Sequence, residues 1–214
     1  MEFINEELLN YCQEHTSPED ELLAKINRET HAKVLMPRML SGPLQGKTLE
    51  LFTKMLQPKV ILEIGTYTGY SALWMAKGLG PEGKIITLDI NDELEDMVRG
   101  YFSESGLGHK IDYRLGNALD LIPELEGKFD MVFIDADKKN YSKYYDMVID
   151  RVPAGGMILA DNVLWSGKVL KKEGEKIDKD TKAIKVFNEM VNKDPRVENV
   201  IFPIRDGIML ARKL

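Results

Sequence analysis

The sequence predicts an α/β fold, a mostly parallel doubly wound sheet with helices on both faces, and three observations carry that expectation. From residue 58 onward, short β-branched or apolar runs alternate with amphipathic helical segments, the pattern of parallel strands joined by crossover helices. The segment before residue 58 carries helical spacing throughout. The 214 residues, 43% hydrophobic and 30% charged, hold enough apolar material for one sizeable core. We therefore expect a single domain over 1–214, with 1–57 as a helical N-terminal cap and 58–214 as the α/β core.

Taken in order, "NEELLNYCQEH" has apolar residues at helical spacing, and "SPEDELLAKI" opens with Ser17 as N-cap, Pro18 at the first helical position and Asp20 completing a capping box. "LQGKTLELFTKML" continues the helices up to Pro58. The candidate strands are then "KVILEIG", "KIITLDI", "KIDYRLG", "FDMVFIDA" and "GGMILADN". After a helix at "TKAIKVFNEMVNK", the end "VENVIFPIRDGIMLARKL" reads as two strands joined by the turn "RDG", an antiparallel pair that brings the sheet to seven strands. The polar insertion "SGKVLKKEGEKIDKD" is long enough to be a flap.

Charge and composition exclude several function classes. A net charge of −6 and a pI of 5.3, with no run of like charges, give no basic footprint, so neither nucleic acid nor an anionic membrane is an expected partner. Cys12 is the only cysteine, which rules out an internal disulfide or a thiolate zinc cage and suits a reducing compartment. The acidic start "MEFINEELLN" lacks an apolar core segment, and no stretch approaches ~18 unbroken apolar residues, so the expected location is the cytoplasm. His15, His31 and His109 lie outside every strand-end motif, and surface or packing roles are expected for them.

In an open α/β sheet, ligands sit beyond the carboxyl ends of the strands, where the strand order reverses. Those ends carry Gly65 and Gly69, Asp89, Gly116 to Ala118, Asp135 to Lys138, and Asp161 with Asn162. "EIGTYTGYS" opens a helix after the first strand, so its glycines could bring a ligand onto backbone amides at a helix N-terminus; a plain tight turn is the alternative. Tyr67 occupies the place where a dinucleotide fingerprint needs its second glycine, so a ligand without a diphosphate fits better. Asp89 lies 24 residues after Gly65, near the ~20 expected for an acid accepting from ribose hydroxyls. It could instead cap the helix at "DELEDMVRGYF", but Asn91 is available for that. A nucleoside ligand without a phosphate bridge points to S-adenosylmethionine.

The stretch "FDMVFIDADKKNY" ends an apolar strand in Asp135, Asp137, Lys138 and Lys139, and "ILADNV" ends the next in Asp161 and Asn162. Helix capping and a solvated lysine face would explain the first motif alone. Together, Asp135, Asp161 and Asn162 offer three oxygen ligands for a hard cation, Mg²⁺ first, with Mn²⁺ or Ca²⁺ also suited. A cation there disfavours the charged form of Lys138 and biases its amine towards a general base.

"LEIGTYTGYSALWMA", "LDIN", "FIDADKKNY", "ADNVLWSGKV" and "FPIRDGIMLARK" resemble, in order and spacing, the metal- and S-adenosylmethionine-dependent O-methyltransferases of the caffeoyl-CoA and catechol type. The resemblance covers nearly the whole chain. It implies a Rossmann-like, seven-stranded class I methyltransferase sheet, a homodimer, a phenolic small-molecule substrate, Asp135, Asp161 and Asn162 on the metal, and Lys138 as catalytic base. It also implies cofactor contacts from Glu63, Gly65 and Ser71 to the methionine part, from Asp89 to the ribose and from Ala118 near the adenine, with Asp135 and Asp137 close by. The segment around Leu40 and Ser41 resembles the part that closes over the methionine moiety. Tyr67 and Trp165 are candidate pocket walls, with plain packing as the alternative.

Rival readings match less well. "SGPLQGKT" approaches a phosphate loop but has Ser41 where glycine is needed and does not follow a strand. A nicotinamide-dependent reductase is weakened by Tyr67, and "GYSAL" lacks the last glycine of a serine-hydrolase elbow. A non-catalytic binding protein remains, and the intact Lys138 argues against it.

Overall fold

The computed structural model describes residues 5–170 and 176–214, and places seven strands in the order β3-β2-β1-β4-β5-β7-β6, with helices on both sides of the sheet. The chain divides into two compact units, one formed by Glu6–Ala118 and one by Leu119–Leu214 together with Asn5.

The first unit holds α1 (Glu6–Glu14), α2 (Glu21–Lys33), α3 (Gly42–Leu56), β1 (Val60–Ile64), α4 (Tyr70–Gly78), β2 (Lys84–Asp89), α5 (Glu95–Glu104) and β3 (Ile111–Leu115). Its three strands pair in parallel, Ile61 opposite Ile85 and Ile85 opposite Ile111. Residues 61 to 64 of β1 are buried without a break, as both faces of a parallel sheet are covered by crossover helices. α4 is buried nearly all round for the same reason, with Trp74 and Tyr70 edge to face.

The start of α2 departs from the expectation. Asp20, not Ser17, is the N-cap: its carboxylate accepts the Leu23 N–H at 2.9 Å, and Ser17 and Pro18 lie ahead of the helix. The cause is tertiary, since the Tyr70 hydroxyl donates to Glu19 and Lys77 to Asp20 at 2.5 Å, fixing residues 19 and 20 against α4 before the helix begins.

The second unit holds β4 (Met131–Ile134), α7 (Tyr141–Val148), β5 (Met157–Asp161), α8 (Lys179–Lys193), β6 (Val197–Phe202) and β7 (Ile208–Lys213), with α6 (Ala118–Glu124) leading into it. β4 and β5 are parallel, whereas β7 runs antiparallel to both β5 and β6. All four residues of β4 are buried, but β6, at the sheet edge, leaves Glu198, Val200 and Phe202 exposed on alternate positions. Asp178 caps α8 by accepting the Thr181 N–H at 2.7 Å. Of the expected flap, residues 171–175 lie outside the described residues. Among the described residues, no helix is long and apolar enough to cross a membrane.

Candidate active site

In the first unit the strand-end residues form a braced loop. Gly65 (φ +104°) donates its N–H to the Leu88 carbonyl at 2.8 Å, and Gly69 (φ +77°) donates to Thr66 at 2.8 Å. A Cβ at Gly69 would lie 2.7 Å from a ring carbon of Phe102, so only glycine lets α4 start there. Between them Tyr67 is also left-handed, at φ +50°. Its N–H donates to Asp89 Oδ2 at 2.6 Å, while Asp89 Oδ1 accepts the Asn91 N–H at 2.9 Å. Asp89 therefore clamps the glycine loop through charge-assisted hydrogen bonds to backbone. The capping role falls to Asn91, whose side chain accepts from the Glu93 N–H at 3.0 Å.

Glu63 is fully buried under this loop. Its Oε1 accepts the Ser71 hydroxyl at 2.6 Å, its Oε2 accepts the Thr87 hydroxyl, and Thr87 also shares a hydrogen bond of 2.6 Å with Thr66. A buried carboxylate is tolerable only when its oxygens are hydrogen-bonded, and the Ser71 and Thr87 hydroxyls each satisfy one of them. Sequence reading missed Thr66 and Thr87; the available signal was a threonine inside the apolar run "KIITLDI". The Tyr67 hydroxyl donates to the Leu35 and Met36 carbonyls at 3.3 and 3.4 Å, tethering the chain just ahead of the buried Leu40 and Ser41, and partial burial pushes the phenol up from its ordinary pKa. The Gly116 N–H bonds the Asp89 carbonyl at 2.8 Å, and Ala118 is buried at the end of this unit.

In the second unit the two lysines of "DADKKN" separate: Lys138 is 8% exposed and Lys139 lies in solvent. The Lys138 Nζ donates to Asp135 Oδ1 at 3.2 Å and to the phenol oxygen of Tyr141. Tyr141 is completely buried, and its hydroxyl donates towards the carbonyls of Asp161 at 3.0 Å and Ile134 at 3.3 Å. Burial first, then the charges of Asp135 and Asp161, push the phenol well above its ordinary pKa, so it stays neutral. Tyr141 was not foreseen as a site residue; only its place in the tyrosine-rich start of α7 pointed to it.

Asp161 ends β5 almost fully buried, with Oδ1 accepting the N–H of Asn162 at 2.7 Å, and Asn162 is left-handed at φ +59°. Asp137 uses its oxygens locally, accepting the Tyr144 hydroxyl at 2.6 Å and the Asn140 amide at 2.7 Å. The Trp165 ring centroid lies 5.8 Å from the Lys138 Nζ and 5.6 Å from that of Lys168. Two carboxylates and an amide make an all-oxygen donor set, the chemistry a hard cation takes. Among the described residues no group of three or more His, Cys, Asp or Glu side chains could hold a metal ion, and the Asp135, Asp161 and Asn162 set, with its amide, is of another kind. His15, His31 and His109 are exposed and hydrogen-bond backbone carbonyls three or four residues earlier.

A family model described as O-methyltransferase matches residues 13–214, so the chain belongs to that family. Caffeoyl-CoA O-methyltransferase 2 of Eucalyptus globulus is 39% identical over 87% of this chain and 80% of its own length. Tricin synthase 2 of Oryza sativa is 37% identical over 82% of this chain, which spans 64% of that longer relative. Among solved structures, the O-methyltransferase of Bacillus cereus in complex with SAH superposes with a TM-score of 0.89 at 29% identity, covering 97% of each chain.

Proposed function

We propose that this chain transfers the methyl group of S-adenosylmethionine to one hydroxyl of a catechol-type small molecule, using a divalent cation held by Asp135, Asp161 and Asn162, and Lys138 as base. The observation that carries the proposal is a buried amine, Lys138, hydrogen-bonded to Asp135 at the end of β4 in a chain of the O-methyltransferase family. Support for the cofactor comes from the SAH bound by the Bacillus cereus neighbour. Support for the acceptor comes from the caffeoyl-CoA named for the plant relatives, since a caffeoyl group carries two adjacent hydroxyls.

The residues divide the work. Asp89 accepts from the ribose hydroxyls with its remaining lone pairs, while its two backbone contacts keep the glycine loop in shape. Tyr141 donates to backbone carbonyls, which aims its oxygen at Lys138 and holds the amine in place. The Lys138 Nζ, acting in its neutral amine form after giving up one proton, accepts the proton of the acceptor hydroxyl, and the oxygen displaces the sulfonium methyl in line, forming an O–C bond as the S–C bond breaks and leaving a neutral thioether. Magnesium, or manganese or calcium, would add positive charge that favours ionisation of the adjacent hydroxyls. We extend the same reading to a homodimer in the cytoplasm; sedimentation velocity checks the first and fractionation the second.

The test is transfer of labelled methyl from S-adenosylmethionine to a panel of ortho-diphenols, free and CoA-linked, beside matched monophenols. Adjacent-hydroxyl acceptors alone should be methylated, with activity lost on chelation and restored by Mg²⁺. Full activity after demetallation would remove the cation from the mechanism, and failure with every ortho-diphenol would overturn the acceptor class.

A further inference from the structure

Within the second unit, the segment that follows Asp161 folds as a hook. Asn162, Trp165, Ser166 and Gly167 all have positive φ, at +59°, +49°, +53° and +76°, and three of the four are not glycine. Such a backbone persists only when its surroundings over-determine it. The surroundings here are the turn between β6 and β7. The Val163 N–H donates to the Gly207 carbonyl at 3.0 Å and the Leu164 N–H to the Asp206 carbonyl at 2.9 Å, bonds that any residue could accept. The third is different: the Ser166 N–H donates to the Asp206 carboxylate at 2.6 Å, a bond that needs an oxygen-bearing side chain at position 206. The approach is close, because a Cβ on Gly207 (φ +83°) would fall 2.5 Å from Leu164 Cγ.

The hook carries Trp165, whose ring faces the Lys138 ammonium at 5.8 Å. Asp206 lies within electrostatic reach of the same lysine: burial pushes its carboxyl above the ordinary value, while the Ser166 N–H and the Lys138 charge oppose that rise. We infer that Asp206 is a positioning residue which, through the Ser166 N–H, sets Trp165 against Lys138 and thereby shapes the acceptor side of the proposed methyl transfer. Asp206 touches neither substrate nor cofactor in this scheme. It acts on the aromatic wall beside the base, so it governs the acceptor and not S-adenosylmethionine. The kinetic part of the inference rests on the proposed function; the positional part does not.

The experiment compares D206A, D206N and wild type by three measurements: Trp165 emission (isolated by subtracting the W165F spectrum), amide exchange at Ser166, and the Michaelis constants of both substrates. Loss of one charge-assisted hydrogen bond should shift Trp165 emission, release the Ser166 amide, and raise the acceptor KM about tenfold in D206A with cofactor affinity unchanged. D206N, whose amide oxygen still accepts from Ser166, should stay within about twofold of wild type. Wild-type emission, exchange and KM in D206A would overturn the inference, as would D206N falling as far as D206A, because the carboxylate would then act by charge alone. Should D206A not fold, the wild type decides by itself: the amide of exposed Ser166 must be protected, and exchange at the free-peptide rate would overturn the assignment. Should the wild type methylate nothing, the proposed function fails separately, while emission and exchange still judge the role of Asp206.

Discussion

In the first unit Glu63 and Asp89 are satisfied by hydroxyls and backbone N–H groups, whereas in the second Asp135 faces the ammonium of Lys138. The difference matches what each would bind. On the proposed function the first loop presents backbone to a nucleoside and needs a fixed shape, which neutral donors at 2.6 to 2.9 Å help to supply. On the proposed function the second site takes up a proton on an amine that first gives up its own, and a buried lysine needs acceptors: here Asp135 and the phenol of Tyr141. Removing either acceptor leaves the lysine partly unpaired, which is costlier than losing a surface ion pair.

Four substitutions press on this contrast. The largest effect belongs to K138A, which should lower turnover about 10²- to 10⁴-fold, the usual worth of a general base, with cofactor affinity by calorimetry unchanged. Equal losses in both would contradict the division of labour between the units. D89A should do the reverse, weakening cofactor binding about ten- to a hundredfold while turnover at saturating cofactor changes far less. In T87V a buried Glu63 oxygen loses its hydroxyl donor, and urea unfolding should show a destabilisation of about 1–3 kcal/mol. An unchanged urea midpoint would mean that Glu63 does not depend on Thr87.

The smallest effect concerns acid stability of the second unit. The Thr181 backbone N–H at the start of α8 holds the Asp178 carboxyl down at about 2. A folded value below the ordinary ~3.9 means that ionised Asp178 stabilises the fold above that pH, and the contribution fades as pH falls from about 4 to about 2. The melting-temperature gap between wild type and D178A should therefore be open near neutrality and close through that window. A gap independent of pH would assign the effect to packing and not to the charged cap.

Much of this molecule was legible from local pattern. "KVILEIG" and "MVFIDAD" announce strands because buried parallel strands need unbroken apolar runs, and the acids that end them are conspicuous because charge is expensive there. Asn91 as the cap beyond Asp89 was also readable, since capping is a contact over two or three residues. The cap of α2 was not, because Tyr70 and Lys77, more than fifty residues away, decide where that helix begins.

By itself, then, the sequence determined the order of strands and helices and which strand ends carry glycine, carboxylate or amine, since these follow from periodicity and from the short reach of turns and caps. Only the tertiary structure decided how those groups are satisfied: the Thr87 hydroxyl on Glu63, the Tyr141 phenol on the Asp161 carbonyl, the Asp206 carboxylate on Ser166. The physical reason is that a hydrogen bond acts over about 3 Å of space and is indifferent to separation along the chain. Polar partners 24 or 40 residues apart leave no periodic trace in the sequence that joins them.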